Sequence, residues 1–244
     1  EEEETDLEAE KKRAFLFHRE ARAIAALRHE GIVQIFDYTG PEESPSYIVM
    51  EFIRGLDLES LQEKGLKAPT HVVLCMLHSL SAALSHCHER GVIHRDLKPA
   101  NIMLEPATGR VILMDFGIAK SISLDGGLGP TSVRTRSELI GTPEFLSPEQ
   151  ILDNPIGAGV DVFAFGSLAY TLLTGSSPFW ADSTVDILRN IIDVLYAPAT
   201  DLLPELPPEI NDFLNRALAS TPEDRATIDE LHEALGKFLA SQGI

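Results

Sequence analysis

The sequence predicts an α+β fold that is mainly helical, with a small antiparallel β part near its N-terminal end. Three observations carry this reading. Residues 7–29 are rich in Ala, Glu, Arg and Leu, a helical composition that Gly31 in "RHEG" is placed to stop. "IVQIFDY" and "SYIVMEFI" are strand-like runs, and the "TGPEESP" between them has the Gly, Pro and Ser of a hairpin loop. From Leu56 onward helical patterns dominate. The clearest starts at Pro69-Thr70, carries Val73, Leu77, Leu80, Leu84 and Cys87 at three-to-four spacing, and closes at Gly91. Short apolar runs follow at 92–93, 102–104 and 111–114. A loop of about 25 residues rich in Gly, Ser and Thr comes next, a length usually tied to function or disorder. Helices resume at about 148, 160, 183, 208 and 227, and there is no internal repeat.

Composition narrows the classes of function. At 244 residues the chain is long enough for one large domain or two small ones, and 44% hydrophobic with 24% charged residues is ordinary for a soluble globular protein. A formal net charge of −18 argues against nucleic acid or anionic membranes as partners, because neutralising phosphates needs Lys and Arg. The acidic run Glu1 to Glu4, with Asp6, Glu8 and Glu10, reads as a solvated loop or helix start. Cys75 and Cys87 fall in one predicted helix, roughly 18 Å apart along its axis, which is beyond disulfide reach. Reduced core cysteines and no signal peptide predict a cytoplasmic location. The most apolar run, "VDVFAFGSLAYTLLTG", holds Asp161 and is too short for a membrane span, so a buried helix is expected. His86 and His88, two apart, point to different sides of a helix, and with His78 they suggest no metal site.

The chemistry is concentrated in "HRDLKPANIM", residues 94–103. Phosphoryl transfer asks for a carboxylate to orient the attacking hydroxyl, ligands for Mg²⁺ and a cation against developing charge. Asp96 can be the carboxylate, Lys98 the cation and Asn101 an oxygen ligand, while Asp115 in "MDFG" supplies a second ligand after an apolar run. "HRDLKPAN" followed 19 positions later by "DFG" resembles the catalytic core of the eukaryotic-type, or Hanks-type, protein kinases. "REARAIAALRHEGIVQIFDY" is similar to that family's helix αC and following strand, which makes Glu20 the candidate αC glutamate. "VMEFIRGLD" is similar to the hinge, and implies Met50 as gatekeeper, Glu51 to Ile53 beside the adenine edge and Asp57 at the ribose, with Met103 in the floor under the adenine. "GTPEFLSPEQ" is similar to the end of the activation segment, here 115–149. Asp161 matches a buried aspartate that braces the catalytic loop, and Arg225 in "PEDRAT" matches the arginine that pairs with Glu149.

What the resemblance implies is a serine/threonine protein kinase of bacterial type that uses ATP and Mg²⁺ on Ser or Thr of protein substrates. Lys98 and Thr142, in "GTPEF", are the pair found in the family's Ser/Thr members. Arg95 before Asp96 resembles kinases whose activation loop is ordered by phosphorylation, with Thr135 and Ser137 as first candidate phosphosites and Thr131 and Ser132 behind them. The implied division is a partial N-lobe at 1–53, holding helix αC and two antiparallel strands, and a C-lobe at 54–244. The family's Gly-rich loop and strand lysine have no counterpart: no G-x-G-x-x-G occurs, and Lys11 and Lys12 lie in the charged helix. Missing strands, or a partner supplying them, are therefore expected, and Glu20 is expected to lack its lysine. Two alternatives remain. One is a non-catalytic, pseudokinase-like scaffold; the other is a small-molecule phosphotransferase, against which Lys98, the long loop and "GTPEFLSPEQ" argue. A membrane anchor elsewhere in the protein is compatible with all three.

Overall fold

A computed structural model of the chain describes the backbone of residues 2–40, 43, 45–117 and 143–244, and side chains from Ala14 onward among these. Helix α1, Glu2–Ala25, buries Leu16, Ala21 and Ile24. It ends earlier than Gly31 because Arg28 turns back and donates from Nη1 to the Ala25 carbonyl at 2.8 Å, meeting one of the last open acceptors of the helix. Gly31 serves a different purpose. A Cβ there would lie 3.1 Å from Ala83 Cβ and 3.3 Å from the Val111 carbonyl, so it marks a close approach of chain segments.

The expected antiparallel pair forms as β1, Ile35–Tyr38, and β2, Ile48–Met50, with a bulge at Phe36. A second sheet was not expected in full. Its strand β3, Leu56–Asp57, pairs with β4, Ile102–Glu105, which pairs with β5, Arg110–Leu113, all antiparallel. Two residues are too few to give a sequence pattern, so β3 was invisible before the fold was known. The run 92–93 forms no strand. It closes helix α3, Thr70–Glu89: Gly91 adopts φ +69°, its N–H donates to the His88 carbonyl and Val92 N–H donates to the Cys87 carbonyl, the paired bonds of a left-handed helix stop.

Five helices follow the loop near the predicted starts, with one short addition: α4, Pro148–Ile151; α5, Gly159–Thr174; α6, Thr184–Ile192; α7, Ala199–Leu202; α8, Pro208–Ala217; and α9, Ile228–Ser241. Helix α5 is the axis of the larger part. Every residue from Val160 to Thr171 is buried, so it carries no polar face and can exist only wrapped by neighbours. Phe163, Phe165 and Leu168 are fully buried, each contributing about 1.5–3 kcal/mol relative to exposure. Cys75 and Cys87 are free, as expected, and burial beside Asp161 pushes the Cys87 thiol up to about 12. Among the described residues no helix is long and apolar enough to cross a membrane.

Helix α5 meets α8 at Gly166, where a Cβ would fall 2.8 Å from Ala217 Cβ and 2.9 Å from the Leu218 side chain. Gly166→Ala should cost about 1–3 kcal/mol through overpacking. Gly157→Ala, which meets nothing within 4 Å, should be close to neutral. Urea unfolding of the two variants checks this, and equal effects would contradict it.

Candidate active site

The segment 94–101 is held from beneath by one carboxylate. Asp161, in the first turn of α5, accepts from His94 N–H through Oδ2 at 2.8 Å and from Arg95 N–H through Oδ1 at 2.8 Å. Its Oδ2 also lies 2.8 Å from His88 Nε2, on α3. These bonds keep Arg95 at φ +65°, a left-handed conformation that costs a bulky residue about 1–3 kcal/mol unless its surroundings impose it. The Arg95 carbonyl accepts in turn from Gln150 Nε2 at 3.3 Å. His94 is fully buried: Nε2 donates to the Met114 carbonyl at 2.8 Å and Nδ1 accepts from Asp96 N–H at 3.3 Å, which makes it a neutral ring.

Above this base the predicted groups meet. Lys98 Nζ stands 3.1 Å from Asp96 Oδ2, and Asn101 Nδ2 donates to Asp96 Oδ2 at 3.0 Å and to the Asp96 carbonyl at 2.7 Å. The Asp115 segment is stitched to the same loop on both sides: Met114 N–H donates to the Asn101 carbonyl at 2.8 Å, and Gly117 N–H to the His94 carbonyl at 2.9 Å. A Cβ at Gly117 would lie 3.2 Å from the His94 carbonyl oxygen, so small size at 117 lets the two segments close. Asp115 itself is solvent-exposed at φ +48°, while Phe116 is buried against the His94 ring at 4.7 Å.

Met50, Ile53 and Met103 also come together. They form one apolar cluster with Val33, Ile112 and Met114, although Met103 lies 50 positions beyond Ile53. Gly55 lets the chain leave this cluster against β4, since a Cβ there would fall 2.1 Å from the Leu104 carbonyl. Asp57 has a role not foreseen: it caps helix α2, Leu58–Glu63, with Oδ1 accepting from Ser60 N–H and Oδ2 from Ser60 Oγ, both at 2.7 Å. Burial raises its pKa, but these bonds outweigh it and leave the carboxyl below its ordinary value. Glu51 pairs with Arg110 Nη1 at 3.0 Å, a bond that holds its carboxyl down as well. Glu20 pairs with its neighbour in the chain: Arg19 Nη2 lies 3.0 Å from its carboxylate, in an adjacent and partly exposed pair. Thr131, Ser132, Thr135, Ser137 and Thr142 lie outside the described residues.

The end of the segment is anchored by a buried ion pair. Arg225 Nη1 and Nη2 donate to the two Glu149 oxygens at 2.6 and 2.8 Å, and its remaining donors reach the carbonyls of Gly159, Ala219 and Ser220. The guanidinium also stacks over Phe163 at 4.9 Å. Sequence reasoning located this pair but missed Gln150, His88 and Arg110. No short motif marks those three, because their partners are 55 or more positions away.

Two predictions follow from these environments. Arg225→Met strands the Glu149 charge inside the protein and should cost about 3–5 kcal/mol in chemical denaturation; a loss below 1 kcal/mol would show the pair to be dispensable. His29, His78, His86 and His94 are each held below the ordinary imidazole value of 6.5, by burial first. The unfolded chain therefore takes up protons before the folded one as pH falls. Their contribution is complete above 6.5 and is lost progressively below it, whereas the lowered carboxylates act only near and below 4.5. Stability measured from pH 7.5 to 5.5 should fall, with uptake of up to four protons on unfolding; a flat profile would contradict the assignment.

Comparison with known proteins agrees with this geometry. The family description "Protein kinase domain" matches residues 3–235. The serine/threonine-protein kinase PknB of Mycobacterium tuberculosis is 37% identical over 214 residues, 86% of this chain and 33% of that protein. A probable serine/threonine-protein kinase of Streptomyces coelicolor, SCO3848, is 36% identical over 234 residues, covering 93% of this chain and 34% of its own length. PknL of Mycobacterium tuberculosis is 34% identical over 210 residues, 86% of this chain and 50% of that protein. The chain thus spans about a third to a half of the length of these relatives. With a mainly helical large part, a small antiparallel one and the 94–117 segment between them, the chain belongs to the protein kinase domain family, on the bacterial Hanks-type branch that includes PknB.

Proposed function

We propose that this chain is the catalytic domain of a serine/threonine protein kinase that transfers the γ-phosphate of ATP to Ser or Thr hydroxyls of protein substrates. The observation that carries the reading is the convergence of Asp96, Lys98, Asn101 and the Asp115 segment, tied together by backbone and side-chain bonds of 2.7–3.1 Å. Asp96 orients the acceptor hydroxyl and takes its proton, and Asn101 fixes the Asp96 carboxylate through Nδ2. Lys98 balances negative charge beside Asp96. The resemblance to Ser/Thr kinases would add Thr142 to this group, and Thr135 or Ser137, once phosphorylated, would be read by Arg95.

The residues present fit ATP and Mg²⁺. One exposed carboxylate, Asp115, and one amide, Asn101, would hold the metal, which prefers few protein oxygens. Met50, Ile53 and Met103 would enclose the adenine, with the Glu51–Ile53 backbone at its edge. Asp57 would meet the ribose through lone pairs its helix cap leaves open, since each carboxylate oxygen accepts more than one bond. When bound, this group supplies the phosphoryl that is transferred. The reading keeps the division into lobes at 1–53 and 54–244, with the activation segment at 115–149. Free thiols at Cys75 and Cys87 support a cytoplasmic location. Strand β2 pairs on one side only among the described residues, and Phe36, Tyr47 and Val49 are exposed beside it. That supports further strands, bearing the Gly-rich loop and a lysine for Glu20, from this polypeptide or a partner.

The test is phosphate incorporation followed by intact mass after incubation with Mg²⁺ and ATP. Incorporation on Ser or Thr is expected, and Asp96→Asn should lower its rate about 10²–10⁴-fold. Equal rates in the two proteins would overturn the assignment of Asp96. Silence in a protein carrying every strand of the small lobe would favour the scaffold instead.

A further inference from the structure

Arg110 opens strand β5 and touches two segments that are distant in sequence, and its own strand partner. Nη1 donates to Glu51 Oε1 at 3.0 Å; Nε and Nη2 donate together to the Glu30 carbonyl at 3.2 and 3.0 Å; and Glu105 Oε2, directly across the strand pair, stands 3.8 Å from Nη1. Glu51 begins the hinge, and its N–H donates to the Gln34 carbonyl at 2.8 Å. Glu30 lies in the turn that joins α1 to β1. Arg110 therefore ties the second sheet to the hinge and to the turn between α1 and β1. Its donors are divided between a carboxylate and a carbonyl, an arrangement that a planar guanidinium satisfies and an ammonium does not.

We propose that Arg110 is a positioning residue for the nucleotide: it holds Glu51–Ile53 in register with Met103, so that the adenine edge and the apolar floor are preformed. Met103 is on β4, which pairs with the strand Arg110 begins, and Ile53 shares a buried cluster with Ile112, two residues further along that strand. One guanidinium thus fixes the distance between the two faces that would receive the base. This rests on the kinase reading for its ligand, whereas the clamp itself stands on the geometry.

The test has two arms. In amide hydrogen exchange on the ligand-free protein, Arg110→Ala should raise exchange at 51–53 by about fivefold or more, while the amides of His94 and Arg95 keep their protection. Arg110→Lys should be intermediate, and adding Glu51→Gln to Arg110→Ala should bring little further change at these amides. Unchanged exchange at 51–53, or a uniform rise across the chain, would overturn the clamp. In the second arm, Mg²⁺-ADP binding should weaken about five- to tenfold in Arg110→Ala, and in an active preparation KM for ATP should rise by a similar factor with kcat moved less. A loosened hinge with unchanged ADP affinity would overturn the positioning role. Absence of any ADP binding in the unaltered protein would count against the kinase reading, and the exchange result would still decide the clamp.

Discussion

The carboxylate of Asp161 is the interaction on which the rest of the site depends. It is buried on a helix with no exposed residue from Val160 to Thr171, so its position is set by packing rather than by solvent. Taking an ion out of water costs several kcal/mol even after relaxation, and only well-placed donors offset it. Here two are backbone N–H groups of consecutive residues, His94 and Arg95, which makes the bond directional for the chain itself. A rigid helix thereby dictates the φ and ψ of a loop, and the loop turns Asp96 outward. Side-chain bonds alone would have located the loop without fixing its backbone.

A second constraint closes the loop from the opposite side. Gln150 donates to the Arg95 carbonyl, while its Oε1 accepts from Ser147 N–H at the start of α4. Glu149, just before Gln150, is fixed by Arg225. The same peptide segment is thus gripped through its N–H groups by α5 and through a carbonyl by α4, and both helices are locked to α8 and α9 by the Arg225 donors and the buried core. Strain at Arg95 and Asp115 persists because too many bonds would have to break together to release it.

Much of this was legible in the sequence because the groups that act are close in sequence. Asp96, Lys98 and Asn101 sit within six positions, and the apolar run before Asp115 reads as a strand without any partner being known. The larger helices were legible for the same reason, since their periodicity and their Gly and Pro boundaries are local signals. What could not be read is long-range. Arg110 looks like the polar start of a strand until Glu51 and Glu30 are placed beside it. That Asp57 also caps a helix shows only when Ser60 is placed beside its two oxygens. The early end of α1 turned on Arg28, whose backward bond no propensity predicts.

The two sheets differ in what holds them, and this bears on how the site is built. A two-stranded sheet is marginal on its own, and β1–β2 is buried on only part of its surface. Its position comes from the residues just before it: Val33 N–H donates to the Leu113 carbonyl, Leu113 N–H to the Gly31 carbonyl, and Ile32 pairs in parallel with Leu113. Strand β5 is therefore shared. One of its ends fixes the entry to the small sheet through Leu113, the other fixes the hinge through Arg110, and Asp115 follows directly after it. Glu51 and Asp115 inherit their relative position from four residues of one strand. Under the proposed kinase reading, the alignment between the Met50–Ile53 cluster and Asp115 would come from β5 itself, whatever else covers the small sheet.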